Sequence, residues 1–107
     1  DASATFPDND FRHNWIENPE QNEQFLQDLD TVAALRSAVP EGQTMAQFAL
    51  RFVSSHPAVS TAIPGARNAR QARSNAASGL LPRLSGEESR HIDRIVPPGG
   101  GRKIWPA

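Results

Sequence analysis

The 107-residue sequence predicts an α/β chain that is mostly helical and carries one short strand. Apolar residues recur at helical spacing in four segments, three of which open on a residue able to cap a helix. A single β-branched run, bounded by proline on both sides, interrupts that pattern. Leu, Ile, Val and Phe number 22 against 15 Ala, so the expected core is thin. The net charge of −1 nevertheless argues against disorder.

Residues 1–20 carry Pro7, Asn9, Asn14, Asn18 and Pro19 without a period and read as a long loop. From Gln21 a stripe of Phe25, Leu26, Leu29, Val32, Ala33, Leu35 and Val39 predicts a helix that Pro40 and Gly42 end. Thr44-Met45-Ala46-Gln47 is a capping box. Met45, Phe48, Ala49, Phe52 and Val53 then predict an amphipathic helix to about Ser55, so residues 21–55 hold two helices. His56-Pro57 breaks it. Residues 58–63, Ala58 to Ile63, read as one buried strand. Pro64-Gly65 turns the chain, and Asn68, with Gln71 at the box position, caps a helix to Ser78 that Gly79 stops; turn and helix span 64–78. Ser85-Gly86-Glu87-Glu88 opens a last helix over 85–96, and 97–107 form a Gly-rich tail with Trp105. A lone strand leaves both edges unpaired, so either 58–63 is not a strand after all or it needs strands from another chain or from missing sequence.

Composition removes several function classes. With no Cys there is no disulfide scaffold, thiolate metal site or Cys nucleophile, and the mild expectation is a cytoplasmic protein. No apolar run reaches membrane-spanning length, so no membrane partner is expected. His13, His56 and His91 lack metal-ligand spacing, so no metal site is expected. The chain begins Asp1-Ala2-Ser3 rather than Met, which suggests a processed product, an expressed piece or a fragment. Residues 1–40 have a charge balance of −6 and residues 41–107 one of +5. That split suits an anionic ligand for the second part, or two faces of one surface.

The chemistry concentrates where the predicted strand passes through Ile63-Pro64-Gly65-Ala66-Arg67 into a helix. Such a junction aims free backbone N–H groups and the positive end of the helix dipole at one point. Arg67 lies beside it, and an Arg fork suits a phosphate. Gln71 and Asn75, at i and i+4, face the same way and offer the donor and acceptor that an adenine edge requires. The plainer reading is a Gly turn, a capping box and two solvated amides. Arg70 and Arg73 extend a basic surface, but three Arg without interleaved aromatics make a poor nucleic-acid site, and none is expected.

The run Thr44-Met45-Ala46-Gln47-Phe48-Ala49-Leu50-Arg51-Phe52, followed by His56 through Arg67 and then Gln71 and Ser74-Asn75, resembles the carboxy-terminal third of aldo/keto reductases. Phe6-Pro7-Asp8-Asn9-Asp10-Phe11-Arg12 is similar to the family's loop after its seventh strand, and Ser85–Val96 to its closing helix. The resemblance implies the last part of a (β/α)₈ TIM barrel that reduces a small aldehyde or ketone with NADP(H). Residues 58–63 would be the eighth strand. Ile63, Gly65, Ala66, Arg67, Gln71 and Asn75 would bind the cofactor: Arg67 at the 2′-phosphate or against the adenine, Gln71 and Asn75 at the adenine, Gly65 admitting phosphate to the backbone. Ser74 stands where the family often has Glu, which puts one contact in doubt. The family's catalytic Asp, Tyr, Lys and His come from the first half of the barrel. Here Tyr is absent and the only Lys is Lys103, so no catalytic residue is assigned and the isolated chain is expected to be inactive. Trp105 is expected near the substrate mouth. A different outcome would be a non-catalytic helical interaction module derived from the same fold. Substrate, oligomeric state and the choice between NADPH and NADH are not legible.

Overall fold

The computed structural model describes residues 1–98. The predicted tail beyond Pro98, with Trp105, lies outside the described residues. Among the described residues five α-helices follow in order: α1 Asn14–Glu17, α2 Pro19–Leu35, α3 Met45–Ser55, α4 Ala69–Ser78 and α5 Gly86–Ile95. The chain divides into two compact units, residues 1–37 and residues 38 onward. Among the described residues no helix is long and apolar enough to cross a membrane.

In the first unit, the stretch expected to be a loop through residue 20 holds real structure. Asp10 caps a 3-10 turn at Phe11–His13, and α1 follows directly. Asn18 then caps α2, its Oδ1 accepting the Gln21 N–H at 3.1 Å, with Pro19 at the first helical position. Asn-Pro, taken as loop punctuation, is here a helix start, because proline's fixed φ suits the first turn and its missing N–H is one that a helix start leaves unpaired anyway. α2 ends at Leu35 and tightens into a 3-10 turn at Arg36–Ala38, ahead of the predicted Val39. The residue before Pro40 is held off helical geometry.

Trp15 organises this unit. Phe6 and Phe11 meet it edge-on at 6.3 and 5.6 Å, and Phe25 of α2 tilts against it at 6.0 Å. The Arg12 guanidinium lies 4.5 Å from the Phe6 ring centre, held there by Asp10 through bonds of 2.9 Å from Nε and 2.6 Å from Nη2. That carboxylate also holds the Arg12 pKa above its usual range. Phe25 is buried, whereas Leu26 and Val32 of the predicted stripe stay exposed.

In the second unit, the capping boxes at Thr44/Gln47 and Ser85/Glu88 form as the sequence predicts. Among its described residues, Phe48 of α3 and Ile92 of α5 are the buried apolar ones. Arg51 of α3 is buried in this unit as well, only 3% exposed, and no sequence argument singled it out. Its Nε donates to the Pro82 carbonyl at 2.9 Å, and its Nη1 to Gln43 Oε1 at 3.1 Å and Glu88 Oε1 at 3.2 Å. One cation thereby ties α3, the 82–83 segment and the start of α5. A charge placed three residues after Phe48 on an otherwise apolar face was the available signal.

Glu88 accepts the Ser85 N–H at 2.7 Å besides facing Arg51. The Ser85 backbone bond first, then the Ser85 hydroxyl and Arg51, hold its carboxyl below the usual glutamate range against the opposing effect of burial. A depressed folded-state pKa contributes stability above the unfolded-state value and loses it as the pH falls through the folded one. Glu88→Gln should therefore flatten the acid limb of the stability curve below about pH 4.3. Urea midpoints measured down that limb test this, and parallel curves for the two proteins would refute it.

The predicted buried strand at 58–63 does not form, and no strand occurs among the described residues. The N–H groups of Ala58 and Val59 are spent on the turn after α3: they reach His56 Nδ1 at 3.2 Å and the His56 carbonyl at 3.0 Å. The rest of the segment finds no ladder partner among the described residues. Ile63, expected inside, is 93% exposed.

Candidate functional site

The junction that the sequence singled out is built entirely within the second unit. Asn68 takes an extended backbone conformation and its Oδ1 accepts the Gln71 N–H at 2.9 Å, which starts α4. Gln71 does not close the expected box. Its Oε1 instead accepts the Arg67 N–H at 2.7 Å, one residue upstream of the cap. One turn on, Asn75 Nδ2 donates to the Gly65 carbonyl at 3.2 Å. The two amides thus fasten the Gly65–Arg67 turn onto α4, so neither is merely solvated.

Each amide is only half used. Gln71 Nε2 and Asn75 Oδ1 make no hydrogen bond among the described residues, so one donor and one acceptor remain beside the turn. Gly65 has open space where a Cβ would sit, so packing within the protein does not require glycine there. Arg67 is exposed and forms no ion pair among the described residues. Ala66 lies in the turn, and Ile63 stands out into solvent rather than joining these groups.

Alongside runs an open cleft of about 490 Å³, lined by Leu50 and Ser54 of α3, Ala62, Pro64 and Ala66 of the connecting segment, and Asn75 of α4. Small side chains on that segment leave the space open. Among the described residues no three His, Asp or Glu side chains converge as a metal site would need.

The aldo/keto reductase family model matches residues 3–97. The chain belongs to the aldo/keto reductase family. No curated protein and no solved structure matches the chain. Aldo/keto reductase membership relates the chain to oxidoreductases built on a TIM barrel, a family that generally uses NAD(P)H. The match reaches from the aromatic cluster of the first unit to the end of α5, so both units belong to the aldo/keto reductase sequence.

Sequence reasoning located the turn, the cap and both amides but missed a link behind them. Gln47, which closes the α3 box, also donates from Nε2 to the Ser74 carbonyl of α4 at 3.2 Å. A box glutamine has a donor to spare, since the box uses only its oxygen.

Proposed function

We propose that this chain is the carboxy-terminal part of a (β/α)₈ barrel and holds the adenosine end of NADP(H) for a reductase of small aldehydes or ketones. The observation that carries this reading is the Gly65–Arg67 turn fastened to α4 by amides that keep one free donor and one free acceptor. Adenine presents N6–H₂ as donor and N7 as acceptor, the complement of Asn75 Oδ1 and Gln71 Nε2. Arg67 beside them offers the guanidinium fork that a 2′-phosphate takes. The residues present therefore fit the group. The nicotinamide at the other end of the cofactor supplies hydride when bound.

The remainder of the barrel would give residues 58–63 their strand partners and cover apolar side chains such as Ile63 and Leu80, which are 93% and 89% exposed. A complete barrel of this type takes about 250 residues. A soluble cytoplasmic protein with no nucleic-acid or metal partner agrees with this reading.

Titrating the chain with 2′,5′-ADP and with 5′-AMP, followed by NMR shifts at residues 65–75, tests it. Binding is expected, tighter for 2′,5′-ADP. Arg67→Ala should weaken 2′,5′-ADP by roughly tenfold or more, the value of a charge-assisted phosphate contact, and change 5′-AMP little. Equal weakening of both would remove the phosphate role and leave Arg67 against the adenine. No binding of either nucleotide would overturn the proposal.

A further inference from the structure

We infer that Gln47 is a positioning residue for the nucleotide clamp, an assignment whose ligand-binding consequence rests on the function proposed above. One side chain has two jobs. Its Oε1 accepts the Thr44 N–H at 3.0 Å and so completes the cap of α3. Its Nε2 donates to the Ser74 carbonyl at 3.2 Å, 27 residues away on α4. Ser74 lies directly before Asn75 and three residues after Gln71, the two amides that hold the Gly65–Arg67 turn.

This bond directly links the α3 cap to the stretch of α4 carrying the clamp amides. Gln47 and Ser74 are both partly buried, so water competes weakly for the bond. Fixing the Ser74 carbonyl fixes the rotation of α4 about its axis, and with it the height of Gln71 and Asn75 over the turn. A helix free to rotate would carry Gln71 Oε1 and Asn75 Nδ2 away from their two backbone partners together. The clamp geometry is thus set from the capped start of α3.

The two jobs separate chemically. Gln47→Glu keeps an oxygen for the Thr44 N–H, since Glu serves as well as Gln at that box position. It removes the donor to Ser74 and sets a carboxylate against a carbonyl. Thr44→Ala does the reverse, removing the hydroxyl that caps the Gln47 N–H while leaving the Nε2 bond. Both variants of the full 107-residue chain would be compared by amide hydrogen exchange, thermal midpoint and 2′,5′-ADP titration.

Gln47→Glu is expected to speed exchange of the Arg67 N–H by about threefold or more, the range that one lost net hydrogen bond represents, and to shift the Asn75 side-chain amide signals. It should weaken 2′,5′-ADP and lower the thermal midpoint by no more than the few degrees that one lost hydrogen bond represents. Thr44→Ala should lower the midpoint with Arg67 exchange, relative to the amides of α4, unchanged. Unchanged Arg67 exchange and Asn75 signals in Gln47→Glu would overturn the inference. So would equal loosening of the turn by both variants, which would reduce Gln47 to a general stability role. The exchange arm needs no ligand. A wild type that binds no 2′,5′-ADP therefore defeats the proposed function, while the exchange data still decide the role of Gln47.

Discussion

Replacing Arg51 with Met should cost the second unit about 3 kcal/mol, the low end of the roughly 3–5 kcal/mol for removing one partner of a buried charge pair. The low end applies because the Glu88 side chain keeps 27% exposure and can rehydrate. Met fills most of the aliphatic stem's volume, so the loss reports the guanidinium rather than a cavity. That guanidinium satisfies the Pro82 carbonyl, Gln43 and Glu88 at 2.9, 3.1 and 3.2 Å. Small domains have only about 5–15 kcal/mol in all, and among the described residues of this unit the buried apolar ones are Phe48 and Ile92, so the variant should lose much of α5's order. Amide exchange in α5 and the urea midpoint measure this. A loss under about 1 kcal/mol, the worth of an ordinary hydrogen bond, would show that Arg51 is replaceable.

The 107-residue chain by itself should reduce no aldehyde or ketone with NADPH. The resemblance assigns proton donation to a Tyr, and this sequence has none; its only Lys is Lys103. A positioned general acid contributes about 10²- to 10⁴-fold. Turnover would also need the surface that orients the nicotinamide, which the proposed clamp does not supply. The assay is NADPH oxidation with a simple aldehyde on a mass-verified sample. Turnover above the no-protein rate would overturn the assignment of this chain to the clamp alone. Nucleotide binding without turnover is the combination that the clamp reading requires.

What the sequence determined by itself is local. Thr44 with Gln47 and Ser85 with Glu88 close their boxes because both partners sit three residues apart, and four residues of chain suffice to bring them together. The Asn68 cap, which accepts the Gln71 N–H, was legible for the same reason. The family was legible too, in the run from Thr44 to Asn75, and the family model bears it out.

Tertiary structure decided whatever depends on groups far along the chain. A β-branched run becomes a strand only when neighbours accept its hydrogen bonds; here two of its N–H groups turn back to His56, and Ile63 stays in solvent. Gln71 could have bonded its own cap residue, yet the course of the turn offered the Arg67 N–H first. Gln47 reaches Ser74 across 27 residues and Arg51 reaches Glu88 across 37. Neither spacing carries a period that a sequence could display, because which carbonyl or carboxylate meets a donor depends on how whole helices pack, not on the residues beside it.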